Sequence, residues 1–383
     1  MTNKPIPFLD LAAEHALLRP SLDAAYARVM AAGLWILGPE LRAFEAEFAA
    51  LCQSRHALGV GNGLDAITLA LRALNIGPGD QVVVPAHTFV ATWLAVLAVG
   101  ATPVACEPAP GSYNINAAMV APLITQHTRA VIAVHLYGHP ADPVGLSALC
   151  AAHDLPLIED AAQAHGATSQ AHGAASQAHG AASLARVVGS FGRIGCFSFY
   201  PTKNLGALGD GGAVVTSDDA LAERLALLRN YGAREKYFTD EIGTNSRLDE
   251  LQAAFLRAKL ANFATMCAQR RAVAARYLDA LADLPDLILP ATAAGDAPVW
   301  HLFVVRSPRR DALRAALAKQ GIATGLHYPV PVYRNAPFAA FAPTLETESD
   351  RIAQQALSLP FWPTLPDDQI ARVCTAIRSF CRA

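Results

Sequence analysis

The sequence is poor in charge, and it has no long uninterrupted apolar run. Only 16% of the residues are charged and the net charge is −2, which argues against a nucleic-acid-binding surface. The most apolar stretch, residues 91–106, contains Gly100 and Pro103 and is too short and too broken to cross a bilayer. The first residues lack the apolar core of a signal peptide. We therefore expect neither a nucleic acid nor a membrane as a partner.

Paired cysteines are absent as well. The seven cysteines are scattered, and no two of them form a CxxC pair. An odd, scattered set argues against a disulfide framework and for a reducing compartment, so we expect a cytoplasmic protein. The chain has 383 residues, of which 53% are hydrophobic, and it can therefore bury a large core and form two domains.

Apolar strands and helical segments alternate in the first half of the chain. The pattern predicts a helix over residues 143–153 and strands at 81–84, 102–105, 130–134 and 155–160. Near-continuous apolar strands between helices indicate a parallel sheet that is covered on both faces. Ligands of such sheets bind beyond the carboxyl ends of the strands, and Asp160 stands at such an end. Asp160 is a site residue if it pairs with a cationic ring nitrogen, and otherwise an exposed turn or cap residue.

A single lysine, Lys203, stands between the apolar segments 196–199 and 213–216. If these segments are buried strands, the amine lies near the interior, where burial lowers its pKa. A neutral amine is what a Schiff base requires. The alternative is an exposed lysine in a hairpin, which is where most lysines lie. The segment by itself does not separate the two interpretations.

Three alternating glycines, Gly59, Gly61 and Gly63, lead from a short strand into a helix. Backbone N–H groups at such a helix start can approach an anion, and the helix dipole favours negative charge there. The pattern predicts a phosphate site near Gly63, Leu64 and Asp65. A dinucleotide-binding fold uses a similar turn, but the acidic residue that should close its next strand is missing.

Phe89 and Trp93 lie four residues apart, so they share one face of the helix predicted to follow the strand at 81–84. Trp93 fits simple core packing. Phe89, in the first turn beyond the strand, could instead stack on a planar ligand.

Residues 163–183 contain a seven-residue unit in three tandem copies. Its histidines, His165, His172 and His179, are not accompanied by carboxylates or cysteines, so we expect no metal site. A tandem expansion in a surface loop costs little closure entropy and is the favoured interpretation. We expect that deleting residues 170–183 leaves the activity intact.

The C-terminal third begins with a long helix that is predicted to reach about Leu278 and to bridge to a smaller domain. Strands are predicted at 300–305 and 322–326, and the closing helices at 349–357 and 366–380. The second strand ends in His327 and Tyr328, whose side chains suit sugar hydroxyls. For His301 we expect packing within its strand.

Four motifs carry a resemblance that covers nearly the whole chain. They are residues 61–66, residues 159–166, the Lys203 segment and residues 245–253. With them the chain resembles the sugar aminotransferases of the DegT/DnrJ/EryC1/StrS group. The resemblance implies a fold-type I enzyme that uses pyridoxal 5'-phosphate and its pyridoxamine form. The implied architecture is a large domain (1–260) with a mixed, mostly parallel sheet flanked by helices, and a smaller C-terminal α+β domain (261–383).

The resemblance also implies roles for single residues. Lys203 would hold the cofactor as a Schiff base and move the proton during transamination. Asp160 would pair with the pyridine nitrogen and keep it protonated. The other implied cofactor contacts are Gln163 to the 3-hydroxyl, Phe89 to the ring face, and Ser198, Gly63, Leu64 and Asp65 to the phosphate. Asn245 would reach the phosphate of a neighbouring subunit, which implies a homodimer with shared active sites.

Within the group, the chain resembles the branch that acts on 3-keto sugars bound to dTDP, in which Tyr200, His327 and Tyr328 would lie near the hexose. Relatives that are dehydratases carry histidine at the lysine position, so Lys203 implies transamination. Leu64 stands where many relatives have threonine, which removes a possible hydroxyl contact to phosphate. Only the first repeat copy follows Asp160 at the family spacing, so the 3-hydroxyl contact is assigned to Gln163.

The sequence thus predicts the transfer of an amino group from L-glutamate to C3 of a dTDP-linked 3-keto-6-deoxyhexose. Such a reaction serves the synthesis of lipopolysaccharide or other polysaccharide sugars, or of antibiotic sugars. The close alternative is a 4-keto nucleotide-sugar aminotransferase. A catalytically silent regulator that binds the cofactor is a remote alternative, since no DNA-binding segment accompanies the domain.

Overall fold

The computed structural model describes residues 4–170 and 185–382. The α-helices are α1 (Leu11–Ala32), α2 (Pro39–Leu51), α3 (Gly63–Ala73), α4 (Ala91–Ala98), α5 (Ala117–Val120), α6 (Pro143–Ala152), α7 (Asp219–Leu228), α8 (Glu250–Leu260), α9 (Phe263–Leu281), α10 (Arg310–Lys319), α11 (Glu348–Gln355) and α12 (Asp367–Cys381). The strands are β1 (His56–Val60), β2 (Gln81–Pro85), β3 (Thr102–Cys106), β4 (Thr128–Val134), β5 (Leu157–Asp160), β6 (Thr168–Ser169), β7 (Arg186–Val187), β8 (Ile194–Ser198), β9 (Gly212–Thr216), β10 (Ala233–Glu235), β11 (Phe238–Thr239), β12 (Asp296–Ala297), β13 (Phe303–Arg306) and β14 (Ala356–Leu359).

The central sheet has seven strands in the order β1-β9-β8-β5-β4-β2-β3. Every pair from β8 to β3 is parallel, and β9 is antiparallel to both of its neighbours. The strands are buried along almost their whole length, as expected when helices cover both faces. The predicted mixed, mostly parallel sheet is confirmed.

The strand directions bring the predicted site residues to one edge of this sheet. Because β9 is antiparallel to both β1 and β8, β1 runs in the same direction as β8. It therefore also runs in the same direction as β5, β4 and β2. The carboxyl ends of these strands meet at one edge, where α3 begins after β1, Asp160 ends β5 and Ser198 ends β8. Parallel sheets of this kind bind their ligands at that edge.

The C-terminal part has a separate hydrophobic core. Buried residues of α9, α10 and α12 pack against the antiparallel pair β13–β14, with Tyr277 and Phe303 in ring contact at 4.9 Å between centroids. Ile6 from the N-terminal segment joins this core, and its backbone forms hydrogen bonds with the backbone of Gly321 and Ala323. The domain boundary that we predicted at residue 260 falls at the end of α8.

Three predicted elements differ from the structure. The long helix is two helices, since the chain bends at Ala261 and Asn262 between α8 and α9. Residues 322–326 form no regular strand and make two isolated bridges instead, Ile6 to Ile322 and Gly325 to Ser358. The helix predicted to reach residue 357 ends at Gln355, and β14 begins at the next residue.

The second and third repeat copies lie, except for Gln170, outside the described residues. The two short strands that flank them, β6 and β7, pair with each other antiparallel, with Ser169 opposite Arg186. β6 also pairs with β12. Ser169 and Arg186, which lie on either side of the second and third repeat copies, are therefore neighbours in the structure. Over residues 4–170 and 185–382, no helix has the length and apolarity needed to cross a membrane.

Candidate active site

A cavity of about 460 Å³ opens at the carboxyl edge of the central sheet. It brings together most of the residues that the sequence singled out. They are Gly63, Leu64, Phe89, Asp160, Gln163, Ser198, Tyr200, Lys203, His327 and Tyr328. Asp65 and Asn245 are not part of its wall. Segments far apart in sequence thus meet in one place.

Lys203 reaches this cavity from a tightly held turn between β8 and β9. Its amide donates to Tyr200 O at 2.8 Å, and the amide of Ala207 donates to Phe199 O at 2.7 Å. Burial lowers the pKa of Lys203 to about 8, against an opposing effect of the Asp160 carboxylate. The amine is therefore partly neutral near physiological pH, as a nucleophilic amine requires.

Asp160 lies deep in the same wall. Its Oδ2 accepts a hydrogen bond from Thr92 Oγ1 at 2.9 Å, and its Oδ1 accepts one from the Ala162 amide at 3.2 Å. Burial raises the pKa of Asp160, and the two hydrogen bonds and the Lys203 charge work against this rise. A buried carboxylate of this kind is a strong partner for a cation that enters the cavity.

Two threonines support Asp160, and sequence reasoning missed both. Thr88 and Thr92 are fully buried, and their hydroxyls lie 3.1 Å apart. Because Thr92 donates to the carboxylate, its oxygen accepts the proton of Thr88. In the sequence, two threonines four residues apart, shortly after β2, were a signal that could have pointed to this pair.

The start of α3 forms a cradle of backbone donors. The Asn62 side chain caps the helix by accepting from the Asp65 amide at 2.8 Å. Within the described residues, the amides of Gly63 and Leu64 donate to no protein acceptor. The free donors are therefore those of Gly63 and Leu64, and the Asp65 amide, expected at the phosphate, is committed to the cap.

Asp65 instead helps to hold the cradle. Its Oδ2 accepts from Ser246 Oγ at 2.6 Å, and Ser246 Oγ accepts from the Gly61 amide at 3.0 Å. On the other side Gly63 packs against Ser198, so closely that a Cβ at position 63 would stand 2.7 Å from the Ser198 Cβ. Only glycine fits here, and the Ser198 hydroxyl, which accepts from the Tyr200 amide, keeps its proton for a ligand.

Gln163 is the centre of a hydrogen-bonded chain. Its Oε1 accepts from the Tyr137 amide at 2.7 Å, and its Nε2 donates to the Tyr328 hydroxyl at 3.1 Å. The second Nε2 hydrogen remains available to the cavity. The Tyr137 hydroxyl donates to His327 O, so it accepts from His87 Nε2 at 2.9 Å. Sequence reasoning missed Tyr137 and His87, which act from behind the cavity wall.

The remaining predicted ligand contacts lie around the cavity mouth. Phe89 is 52% exposed, and its ring centroid lies 5.7 Å from that of Tyr328. Tyr200 is also half exposed. The His327 ring lies 5.6 Å from Phe8, and its Nδ1 is 2.8 Å from Ser358 Oγ. Aromatic faces and polar tips alternate here, a surface suited to sugars and planar rings.

The structure corrects one expectation and leaves another site residue apart. His301, for which strand packing was expected, precedes β13 and lines the cavity. Asn245 lies on the surface, paired through its backbone with Asn230. Among the described residues, no three His, Cys, Asp or Glu side chains lie close enough to hold a metal ion.

The residues of the cavity fit pyridoxal phosphate. A partly neutral lysine matches its aldehyde, and a buried carboxylate matches its ring nitrogen. The two unpaired amides at the α3 terminus match its phosphate.

Comparison with known proteins gives the same picture. The sequence profile of the DegT/DnrJ/EryC1/StrS aminotransferase family matches residues 18–378. The chain is 51% identical over 377 residues to the dTDP-3-amino-3,4,6-trideoxy-alpha-D-glucose transaminase of Streptomyces venezuelae, covering 98% of this chain and 96% of that protein. The solved structure of S. venezuelae DesV in complex with a ketimine intermediate has a TM-score of 0.94 and 50% identity, covering 100% of both chains.

A more distant solved structure carries the cofactor itself. The structure of ntda from Bacillus subtilis with bound cofactor pmp is 26% identical and has a TM-score of 0.89, covering 100% of this chain and 87% of that one. The family and its solved structures thus imply a pyridoxal-type cofactor.

Proposed function

The chain belongs to the DegT/DnrJ/EryC1/StrS aminotransferase family, and from this premise we propose that it transfers an amino group from L-glutamate to C3 of a dTDP-linked 3-keto-6-deoxyhexose. The observation that carries the proposal is the meeting of Lys203, Asp160 and the α3 terminus in one cavity. The Streptomyces venezuelae relative, named for a dTDP-3-amino sugar, supports C3 as the position and dTDP as the carrier.

Lys203 and Asp160 are the proposed catalytic residues. When bound, pyridoxal phosphate supplies an aldehyde for the lysine and a ring that takes up the electrons of a broken C–H bond. Lys203 Nζ would hold the aldehyde and would then serve as the base and acid that moves the proton. Asp160 would accept a hydrogen bond from the protonated ring nitrogen, and its partners Thr92 and Ala162 hold its two oxygens in place.

The other proposed cofactor contacts follow the geometry of the cavity. The Gly63 and Leu64 amides and the Ser198 hydroxyl would donate to the phosphate, and Leu64 adds no hydroxyl of its own. Gln163 uses its second amide hydrogen for the ring 3-hydroxyl, while Tyr137 and Tyr328 fix the orientation of the amide. Phe89, which lines the cavity, would pack on the ring face.

The sugar is proposed to lie between Tyr200, His327 and Tyr328. Each of them lines the cavity, and the first is half exposed at its mouth. Phenol and imidazole groups of this kind can donate to or accept from sugar hydroxyls.

We further propose a homodimer in which Asn245 serves the phosphate site of the partner. Asn245 is exposed and stands outside its own cavity, which supports a role in a second subunit. Large apolar side chains are exposed in the segment after α1 and around the β10–β11 hairpin, and a second copy would cover them. They are Leu34, Trp35, Ile36, Tyr237, Phe238 and Ile242.

The product is an amino sugar for polysaccharide, lipopolysaccharide or antibiotic synthesis. The cysteines of the chain support a cytoplasmic enzyme, because all seven are free thiols and six are buried.

The test is an assay of where the amine goes. The full-length protein is incubated with pyridoxal phosphate, ¹⁵N-labelled L-glutamate and either a dTDP-3-keto- or a dTDP-4-keto-6-deoxyhexose. The nitrogen is then located in the product by NMR. We expect label at C3 from the first sugar only, and none with Lys203→Ala. Label at C4 would establish the 4-keto activity instead, and no transfer to either sugar despite bound cofactor would favour the silent regulator.

A further inference from the structure

A short irregular segment, residues 326–330, carries two of the three residues that we place at the sugar. They are His327 and Tyr328, and both line the cavity. The segment belongs to no helix or strand. No regular ladder of hydrogen bonds therefore fixes its backbone, and the position of the two side chains depends on other contacts.

The backbone of this segment has one hydrogen-bond partner among the described residues. The carbonyl oxygen of His327 accepts a hydrogen bond from the hydroxyl of Tyr137. No other backbone N–H or C=O group of residues 326–330 bonds to the part of the chain that the structure describes. The ring of His327 adds two contacts, to the ring of Phe8 at 5.6 Å between centroids and from Nδ1 to Ser358 Oγ at 2.8 Å. The Tyr137 hydroxyl is thus the polar anchor of this backbone.

The hydroxyl of Tyr137 is itself held in place. Tyr137 is 1% exposed, and its ring packs edge-on against the ring of Tyr113 at 5.0 Å between centroids. Because the hydroxyl donates to a carbonyl oxygen, it accepts the hydrogen of His87 Nε2 at 2.9 Å. Burial lowers the pKa of His87 to about 3, so this imidazole is neutral and its one ring proton is on Nε2. Burial also raises the pKa of Tyr137 well above its ordinary value, so the hydroxyl remains a donor.

The backbone of Tyr137 is bound to other residues around the cavity. Its amide donates to Gln163 Oε1 at 2.7 Å, and its carbonyl oxygen accepts from the His301 amide at 2.8 Å. Its φ of 58° lies in the left-handed region, which is unfavourable for a residue with a Cβ, so these contacts hold the backbone there. Tyr137 therefore contacts both Gln163, which we place at the cofactor ring, and the segment that we place at the sugar.

We propose that Tyr137 is a positioning residue for the sugar, whose hydroxyl fixes residues 326–330 and so places His327 and Tyr328 against the hexose. This inference rests on the proposed function, which places the sugar at these two side chains. Tyr137 is not part of the cavity wall, so it acts through the segment and not by contact with the sugar. Without the hydroxyl, the carbonyl of His327 loses its partner and the segment becomes more mobile.

Tyr137→Phe removes the hydroxyl and keeps the ring and the amide that bonds to Gln163. Tyr113→Phe is the matched control, because it removes the hydroxyl of the neighbouring ring, which donates to Val304 O at 3.1 Å and not to the segment. Tyr137→Phe leaves the N–H of His87 without a partner, which destabilises the fold. The double variant Tyr137→Phe/His87→Leu removes this unpaired donor as well. Circular dichroism and the absorbance of the bound cofactor check that each variant is folded and loaded.

The measurement is the binding of dTDP-glucose, which has no keto group and cannot accept the amine, to the full-length protein loaded with pyridoxal phosphate. Isothermal titration calorimetry gives its dissociation constant, and dTDP alone reports on the nucleotide part. We expect Tyr137→Phe and the double variant to raise the dissociation constant of dTDP-glucose about tenfold, the equivalent of about one hydrogen bond. The dissociation constant of dTDP should stay near the wild-type value. Tyr113→Phe should change neither of them.

The two halves of the proposed reaction should be affected unequally. Stopped-flow absorbance follows L-glutamate with the pyridoxal form of the protein and the dTDP-3-keto sugar with the pyridoxamine form. In Tyr137→Phe we expect the sugar concentration that gives half of the maximal rate to rise about tenfold. The glutamate half should be unchanged, because Lys203 and Asp160 are intact.

Equal losses in both halves, or the same loss in Tyr113→Phe, would overturn the inference and show that the hydroxyl supports the cavity as a whole. Wild-type affinity for dTDP-glucose in both Tyr137 variants would overturn it as well. Failure of the proposed function is recognised in the wild type, which would then transfer no amine to any keto sugar, while calorimetry still decides the role of Tyr137. A wild type that binds no dTDP-glucose would overturn both.

Discussion

Thr92 Oγ1 donates a hydrogen bond of 2.9 Å to Oδ2 of Asp160 in a part of the wall where Thr92 has no solvent exposure and Asp160 only 6%. This bond favours the charged carboxylate, while burial favours the protonated form. The hydroxyl of Thr92 is thus what helps Asp160 to remain a partner for a cationic ring.

Thr92→Val is expected to weaken cofactor binding. Without the hydroxyl the pKa of Asp160 rises further, so less of the carboxylate is ionised, and the effect grows as the pH falls. We expect the dissociation constant of pyridoxal phosphate to rise about tenfold at neutral pH, the equivalent of about one charge-assisted hydrogen bond. Fluorescence titration at several pH values measures it.

Thr88→Val is the matched control, since Thr88 contacts Thr92 and not the carboxylate. It should change the dissociation constant by less than about threefold. Equal losses in both variants would show that packing, and not the bond to Asp160, is responsible.

Gly63→Ala is expected to impair the phosphate cradle. The new Cβ would stand 2.7 Å from the Ser198 Cβ, so either the α3 terminus or Ser198 must move. We expect at least a tenfold loss of affinity for pyridoxal phosphate and a much smaller loss for pyridoxal, which has no phosphate. Gly77→Ala, where the new Cβ meets only Val99 O at 3.6 Å, is the control. An unchanged phosphate preference would contradict the assignment of this cradle.

The pKa of Lys203, lowered by burial to about 8, predicts how the stripped protein captures its cofactor. Only the neutral amine attacks the aldehyde, so the rate of capture should rise as the pH increases from 7 to 9 and then level off. Stopped-flow absorbance with pyridoxal phosphate measures the rate, and Lys203→Arg should abolish it. A rate still climbing at pH 10 would indicate an ordinary, exposed lysine.

Glu250 is expected to be a stability residue. Its Oε1 accepts from the amides of Gly38 and Leu41 at 2.7 and 2.9 Å, and its Oε2 accepts from the Glu40 amide at 2.9 Å. It therefore caps the start of α2 from a distant part of the chain. Glu250→Gln loses the charge and turns one acceptor into a donor, and it should lower the free energy of unfolding by about 2 kcal/mol.

Urea denaturation followed by circular dichroism measures this loss. Glu223→Gln, on the exposed face of α7, is the control and should stay within about 0.5 kcal/mol of the wild type. Equal unfolding free energies for the Glu250 variant and the wild type would contradict the capping role.

Deleting residues 170–183 is expected to leave cofactor binding and activity intact. Ser169 pairs with Arg186, so the deletion leaves Leu184 and Ala185 as a two-residue connection between β6 and β7. Two-residue loops are the commonest connections of antiparallel strands. A second variant, lacking residues 177–183 alone, should behave in the same way. Loss of cofactor absorbance in either variant would show that the repeat supports the site.

Much of the fold follows from local pattern. The apolar runs predicted β2, β4, β5 and α6 to within two or three residues, because strands buried on both faces are apolar throughout. The break between α8 and α9 was missed, since no proline or glycine marks it in the sequence.

The candidate site likewise has residues that could be predicted from the sequence and residues that could not. Asp160 stands out in sequence because it ends an apolar strand, and Lys203 because it lies between two apolar segments. Tyr137 and His301 do not, since their roles depend on where a positive φ at Tyr137 and at Trp300 turns the chain. Such turns are set by contacts between distant segments, among them Gln163 to the Tyr137 amide and Asn204 to His301.

The most direct test of the central claim is the visible spectrum of the pure protein loaded with pyridoxal phosphate during a two-step titration. L-Glutamate is added first, and dTDP-linked 3-keto and 4-keto sugars are then added to separate samples. We predict that glutamate bleaches the absorbance of the lysine-bound cofactor and that the 3-keto sugar alone restores it. A band that never forms would contradict the assignment of Lys203, and restoration by the 4-keto sugar alone would contradict transfer to C3.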